Sequence, residues 1–128
     1  MSKFLLVCAG GALGSGARYL VGTWTGAALG TGFPWGTLTV NLVGSFLIGV
    51  VMYLGLEVGA IGPDLRIFLA VGVMGGFTTY SSFNHETLVL AERGQWGLAT
   101  GYVVATVLGA WVAGVAGLLL ARLASSGS

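Results

Sequence analysis

Four long apolar stretches, separated by three short clusters of glycine, proline and charged residues, make up nearly the whole chain. The first runs from Phe4 to about Leu29 and ends in Gly30-Thr31-Gly32-Phe33-Pro34-Trp35, a turn with aromatics suited to a membrane interface. The second covers 36–56 and is followed by Glu57, Gly59, Gly62, Pro63, Asp64 and Arg66, the densest group of polar and breaker residues. The third covers 67–90, after which Ala91-Glu92-Arg93-Gly94-Gln95-Trp96 forms the last connection. The fourth runs over 97–123 and leaves an Ala-Ser-Ser-Gly-Ser tail that is expected to fray. About 20 mainly apolar residues cross a bilayer core, so each stretch is long enough to do so. The expected fold class is an all-α membrane protein, with spans at about 4–29, 36–56, 67–90 and 97–123 in one domain covering 1–128.

Composition excludes the soluble reading. Of 128 residues 55% are hydrophobic and 7% charged, with mean hydropathy +0.94, against roughly 25% charged in soluble domains. Four helices with so few charges would leave a soluble bundle without a polar face. The formal net charge of +1 carries no footprint for nucleic acid or an acidic tail. Lys3 is the one early charge, and the apolar run continues past Arg18, which reads as a retained helix rather than a secretory signal. Cys8 stands alone and is expected to be a small core residue. Counted by side, Lys3, Arg66 and Arg122 oppose Arg93. That bias is weak enough to permit insertion both ways and a dimer of oppositely oriented copies.

Helices in lipid gain little from hydrophobic association and need close backbone approach, which makes the 24 glycines informative. Gly10 and Gly14 lie four apart in the first span, with Arg18 on the same face. In the fourth, Gly101, Ala105, Gly109, Ala113, Gly117 and Ala121 form a four-residue ladder, expected to be a packing face for tight bundling or dimerisation. Polar residues at membrane depth are costly unless they face a bundle interior or water. Thr37, Asn41, Gly44 and Ser45 fall on one face of the second span. The Asn41 amide offers two N–H donors, suited to replacing water around a small anion or to joining helices. The third span contains Gly72-Val73-Met74-Gly75-Gly76-Phe77-Thr78-Thr79-Tyr80-Ser81-Ser82-Phe83, too rich in glycine and hydroxyls for a continuous lipid-facing helix. A break there frees carbonyls and amides to be buried, to line water or to bind an ion. Tyr80 and Phe83 share a face once the helix resumes, a spacing that by itself favours core aromatics over rings presented to an ion. Tyr102 and Thr106 lie four apart in the fourth span and are continued by Ala110 and Gly114, so that stripe is polar only at its start.

His85 and Glu86 have no second His, Cys or carboxylate at ligand spacing, so they make no metal site, and Glu86 is expected in a vestibule or a helix contact. No nucleophile with its base, paired carboxylates or phosphate loop occurs, and the chain is not expected to be an enzyme. The alternative is a small proton-coupled four-helix multidrug exporter. Proton coupling needs a titratable carboxylate deep in the bundle, whereas Glu57, Glu86 and Glu92 lie towards helix ends. A non-conducting scaffold would explain the glycine stripes but neither the polar face of the second span nor the break in the third.

Three segments carry a resemblance to a known family: Gly10-Gly11-Ala12-Leu13-Gly14-Ser15-Gly16-Ala17-Arg18-Tyr19, Gly36-Thr37-Leu38-Thr39-Val40-Asn41 and Gly75-Gly76-Phe77-Thr78-Thr79-Tyr80-Ser81-Ser82-Phe83. In this order, in so short a chain, they resemble the Fluc (CrcB-type) fluoride channels of microbial membranes, across all four spans. The resemblance implies a fluoride-selective channel in the bacterial cell membrane that exports cytoplasmic fluoride passively and lowers its toxicity. It implies an antiparallel, dual-topology homodimer with two separate pathways. It places Asn41, Tyr80 and Phe83 on the fluoride pathway, with Tyr80 standing where the family usually has phenylalanine. The family's polar track maps onto Tyr102 and Thr106, while Ala110 and Gly114 offer no hydroxyls; Thr37 and Ser81 are counted with the pathway. The family's structural sodium ion, held by backbone carbonyls at the break near the dimer centre, points to Gly75 and Thr78. A hard cation takes oxygen ligands, and a central positive charge suits a conducted anion.

Overall fold

Backbone polar groups in hydrocarbon must be satisfied within their own segment, which favours helix for every apolar stretch. The computed structural model describes residues 2–127, and all regular elements among them are helical. Helix α1 (Lys3–Leu29) starts under the Ser2 side chain, which accepts from the Leu5 amide at 3.2 Å. It stops at Gly30, whose φ of +83° is open to glycine and costly for other residues. Helix α2 (Trp35–Glu57) follows Pro34 and widens into a π-helical last turn, Tyr53–Glu57. Helix α3 (63–77) opens with proline in its first turn, is π-wound over Ile67–Val73, and closes with Met74–Phe77. Helix α4 (Tyr80–Glu92) is capped by the Thr79 hydroxyl, which accepts from the Ser82 amide at 3.2 Å. Helix α5 (Trp96–Ser126) has 31 residues, about 46 Å of rise against a hydrocarbon core of about 30 Å.

Helices α1, α2 and α5 are each long and apolar enough to cross a membrane. The third expected span is the pair α3 and α4, interrupted at Thr78 and Thr79 inside the stretch where a break was expected. The tail is more ordered than expected, because α5 continues to Ser126, whose hydroxyl donates to the Leu123 carbonyl at 3.0 Å. Cys8 is exposed on α1 rather than in the core. It lies two positions from Gly10, so about 200° of helical rotation turns it away from the packed face.

The bundle is held by two backbone seams. Along the first, α1 lies on α3. A methyl group on Gly10 would stand 2.6 Å from the Phe68 carbonyl oxygen and 2.9 Å from the Gly72 Cα, and one on Gly14 would overlap the Val73 carbonyl oxygen. Along the second, α5 lies on α2. Methyl groups on Gly49, Gly109 and Gly117 would run into Gly114, Leu42 and Phe46 in turn. The ladder expected on the fourth span is thus only partly a packing face, since Gly101 has open space where a side chain would begin. Steps of four residues rotate by about 40° each, so over twenty residues the ladder winds to the far side of the helix.

Candidate functional site

The break between α3 and α4 is positioned from two sides. Thr78 and Thr79 are extended, with ψ of 158° and 120°. Asn41, buried on α2, replaces the helical bonds they forgo: its Nδ2 donates to the Thr79 carbonyl at 3.1 Å and its Oδ1 accepts from the Thr79 amide at 2.9 Å. From α1, the Nε of Arg18 donates to the Gly76 carbonyl at 2.9 Å, placing a cation at the C-terminal end of α3 where free carbonyls gather. The Thr78 hydroxyl and amide both donate to the Met74 carbonyl, at 2.8 and 3.0 Å. In an uninterrupted helix the Thr79 amide would reach the Gly75 carbonyl. Its diversion to Asn41 leaves that carbonyl without its helical donor, and Gly75 stands on an open face with nothing within 4 Å of a would-be side chain.

Asn41, Thr78, Tyr80, Phe83 and Thr106 line one groove of about 390 Å³, together with Gly75. Tyr80 and Phe83 meet edge to face, ring centres 5.6 Å apart and planes at 73°. Phe83 is buried, whereas Tyr80 is 79% exposed on the surface of the chain. Phe83 meets Tyr102 in the same manner at 5.1 Å and 69°. Tyr102 is 0% exposed, and its hydroxyl and that of Thr106, one helical turn on, are buried without a hydrogen-bond partner. Buried hydroxyls are ordinarily paired. Both lie in helix α5 on the stripe that faces Phe83 and the groove.

Thr37 and Ser81 do not join this groove. They line a crevice with Ser82, His85 and Glu86, in which the Thr37 hydroxyl donates to Glu86 Oε1 at 2.6 Å. That crevice adjoins a mouth of about 450 Å³ whose wall includes Phe33, Thr37, Glu86 and Leu90. The candidates therefore divide, with Thr37 in both mouth and crevice, Ser81 in the crevice alone, Tyr102 enclosed, and Asn41, Tyr80, Phe83 and Thr106 along the groove. Ala110 lines the groove without offering a polar atom.

Sequence reasoning passed over three residues of this arrangement. Arg18 carried its own signal, an arginine within a span, but its carbonyl partner lies 58 residues away. Thr79 was one hydroxyl among several, and its double role as cap and clamp partner follows from the break. Phe33 lay in a turn, and its contact with Tyr102, at 5.3 Å between ring centres, is tertiary.

The family model described as CrcB-like protein, Camphor Resistance (CrcB), matches residues 5–118. The chain is 58% identical over 122 residues to a fluoride-specific ion channel of Anaeromyxobacter sp. (strain K), covering 95% of this chain and 97% of that protein. It is 51% identical over 124 residues to one of Rhodospirillum centenum, covering 97% and 98%, and 50% identical over 123 residues to one of Thermus thermophilus, covering 96% and 91%. Matched over nearly its whole length both by the family model and by these relatives, the chain belongs to the CrcB family.

Proposed function

We propose that this protein is a fluoride-selective channel of the bacterial cell membrane, one four-span domain through which cytoplasmic fluoride leaves passively. The observation that carries the reading is the pair of unpartnered hydroxyls on Tyr102 and Thr106, buried beside the Phe83 ring. A small, strongly hydrated anion crosses hydrocarbon only where donors and electropositive ring edges replace its water at each stage. Mouth, hydroxyls, ring edges and the remaining Asn41 N–H supply such replacements in sequence. The names of the relatives, fluoride-specific ion channels, agree with this reading. The exporter alternative lacks its requirement, because no carboxylate lines the groove and Glu86 is engaged by Thr37 at the mouth.

One protomer presents the groove open, with Tyr80 outward. A second copy in the opposite orientation, which the weak Lys/Arg bias permits, would close it and give two pathways per dimer. The Gly75 and Thr78 carbonyls belong to residues lining the same groove and suit a hard cation in kind. Two oxygens are too few to replace its hydration shell, so a sodium site would be completed by the same pair from the second copy.

The test uses purified protein in liposomes loaded with potassium fluoride or potassium chloride and opened with a potassium ionophore. Rapid fluoride release with little chloride release is expected. Equal release of the two anions would defeat the selectivity reading, and release of neither would defeat conduction.

A further inference from the structure

The mouth and the groove are separate spaces, and what stands between them is Tyr102. Phe83 and Thr106 line the groove, Phe33 and Leu90 line the mouth, and neither space touches Tyr102, which is enclosed in the cluster that Phe83 and Leu90 form with it. Phe33 reaches this cluster from the turn after α1 and meets the Tyr102 ring edge to face, at 5.3 Å and 78°. It also meets Trp35, with ring centres 4.7 Å apart and planes at 55°. Tyr102 is thus gripped between two rings, Phe83 from the groove and Phe33 from the mouth. Its hydroxyl lies close to Thr37, whose own hydroxyl is given to Glu86, and has no partner in hydrogen-bond geometry. A hydroxyl open to the mouth would be satisfied by water. Enclosed and pointed by two flanking rings, it stays free for an ion.

We propose that Phe33 is a positioning residue of the permeation pathway, holding the Tyr102 ring and keeping mouth water off its hydroxyl so that the hydroxyl remains a donor for the anion. This rests on the channel reading above and adds a residue of the α1–α2 turn to it. Phe33 acts through Tyr102 and does not bind the ion itself. Two consequences separate this from a role in folding alone: the effect of losing the Phe33 ring depends on the Tyr102 hydroxyl, and the site of Tyr102 becomes wet when Phe33 is cut back.

The experiment measures fluoride release from liposomes for the wild type, Phe33→Leu, Phe33→Tyr, Tyr102→Phe and the double variant Phe33→Leu/Tyr102→Phe, each checked for assembly by size-exclusion chromatography. Phe33→Leu keeps bulk without a ring and is expected to slow fluoride about tenfold, the rate equivalent of one hydrogen bond to an ion. Phe33→Tyr, which keeps the ring, is expected to stay near wild type. In the Tyr102→Phe background Phe33→Leu is expected to change flux less than about twofold. Wild-type flux in Phe33→Leu, or equal slowing in both backgrounds, overturns the proposal. Should Tyr102→Phe alone stop conduction, or Phe33→Leu fail to assemble, a second measurement decides. In a Cys8→Ser background, Tyr102→Cys is treated with a small thiosulfonate reagent with and without Phe33→Ala, and labelling about tenfold faster without the ring is expected. Equal labelling rates overturn the proposal. A wild type that does not conduct fluoride removes the channel reading itself, an outcome distinct from a conducting protein indifferent to Phe33.

Discussion

Asn41 gives its carbonyl oxygen and one N–H to Thr79, which leaves one N–H for whatever occupies the groove. Asn41→Ala therefore removes a pathway donor and unpins the break, at a cost of about 2 kcal/mol in stability for two lost hydrogen bonds. Fluoride flux is expected to fall by about tenfold or more, with a lowered melting temperature in detergent; unchanged values of both would show the clamp to be dispensable. Phe83→Ile separates the effects, since it keeps apolar bulk, leaves the clamp intact and deletes the ring that meets Tyr80 and Tyr102 edge to face. Slowed fluoride with a nearly unchanged melting temperature is expected there. Near-wild-type flux in both variants would mean that the ion takes another route. Tyr80→Phe keeps the ring that meets Phe83 and removes a hydroxyl from an exposed side chain. Its flux is expected to stay within about twofold of wild type, and a sharp loss would make that hydroxyl an ion donor in its own right.

Among the elements, the seam of α1 on α3 leaves no room for side chains, whereas the first turns of α5 have room to spare. Gly14→Ala would drive a methyl group into the Val73 carbonyl oxygen, and a loss of about 1–3 kcal/mol is expected from overpacking. Gly101→Ala meets open space and is expected to be neutral or slightly stabilising through helix propensity. Thermal unfolding in detergent compares the two, and equal effects would contradict the seam. The sequence showed these stripes by spacing, and Gly10 and Gly14 proved to lie on a contact face. It could not show which half of the α5 ladder packs, because a four-residue period drifts around a 3.6-residue helix. The break was legible as a region of glycines and hydroxyls, but its placement at Thr78 and Thr79 depends on Asn41 and Arg18, residues distant in sequence that meet it only after folding.

For the whole molecule, apolar stretches long enough to span a bilayer made the helical class readable from hydropathy alone. The open groove was not readable in that way, because one buried and one exposed aromatic side by side is a property of the folded surface. Dual orientation predicts that, in a Cys8→Ser background, a reporter cysteine placed after Ser125 is reached by impermeant reagents from both sides of the membrane across the population. Labelling from one side alone in every molecule would sink the opposed dimer. The candidate pathway was legible as a set of residue types, yet its division into mouth, enclosed hydroxyl and groove was not. That division arises because α4 carries Ser81 and Glu86 to one side and Phe83 to another, and because a turn aromatic closes over Tyr102.

An interrupted helix is commonly equated with a hinge, but the interruption at Thr78 and Thr79 is secured by hydrogen bonds before, within and after it. The amides of Thr78, Thr79 and Ser82 each have a partner, in Met74, Asn41 and the Thr79 hydroxyl. In deuterated buffer the Thr79 amide proton should exchange as slowly as those of the flanking helices, because its release requires α2 to part from the break rather than a local fraying. The irregular segment is then a fixed reference point rather than a joint, tied to α1 through Arg18 and to α2 through Asn41.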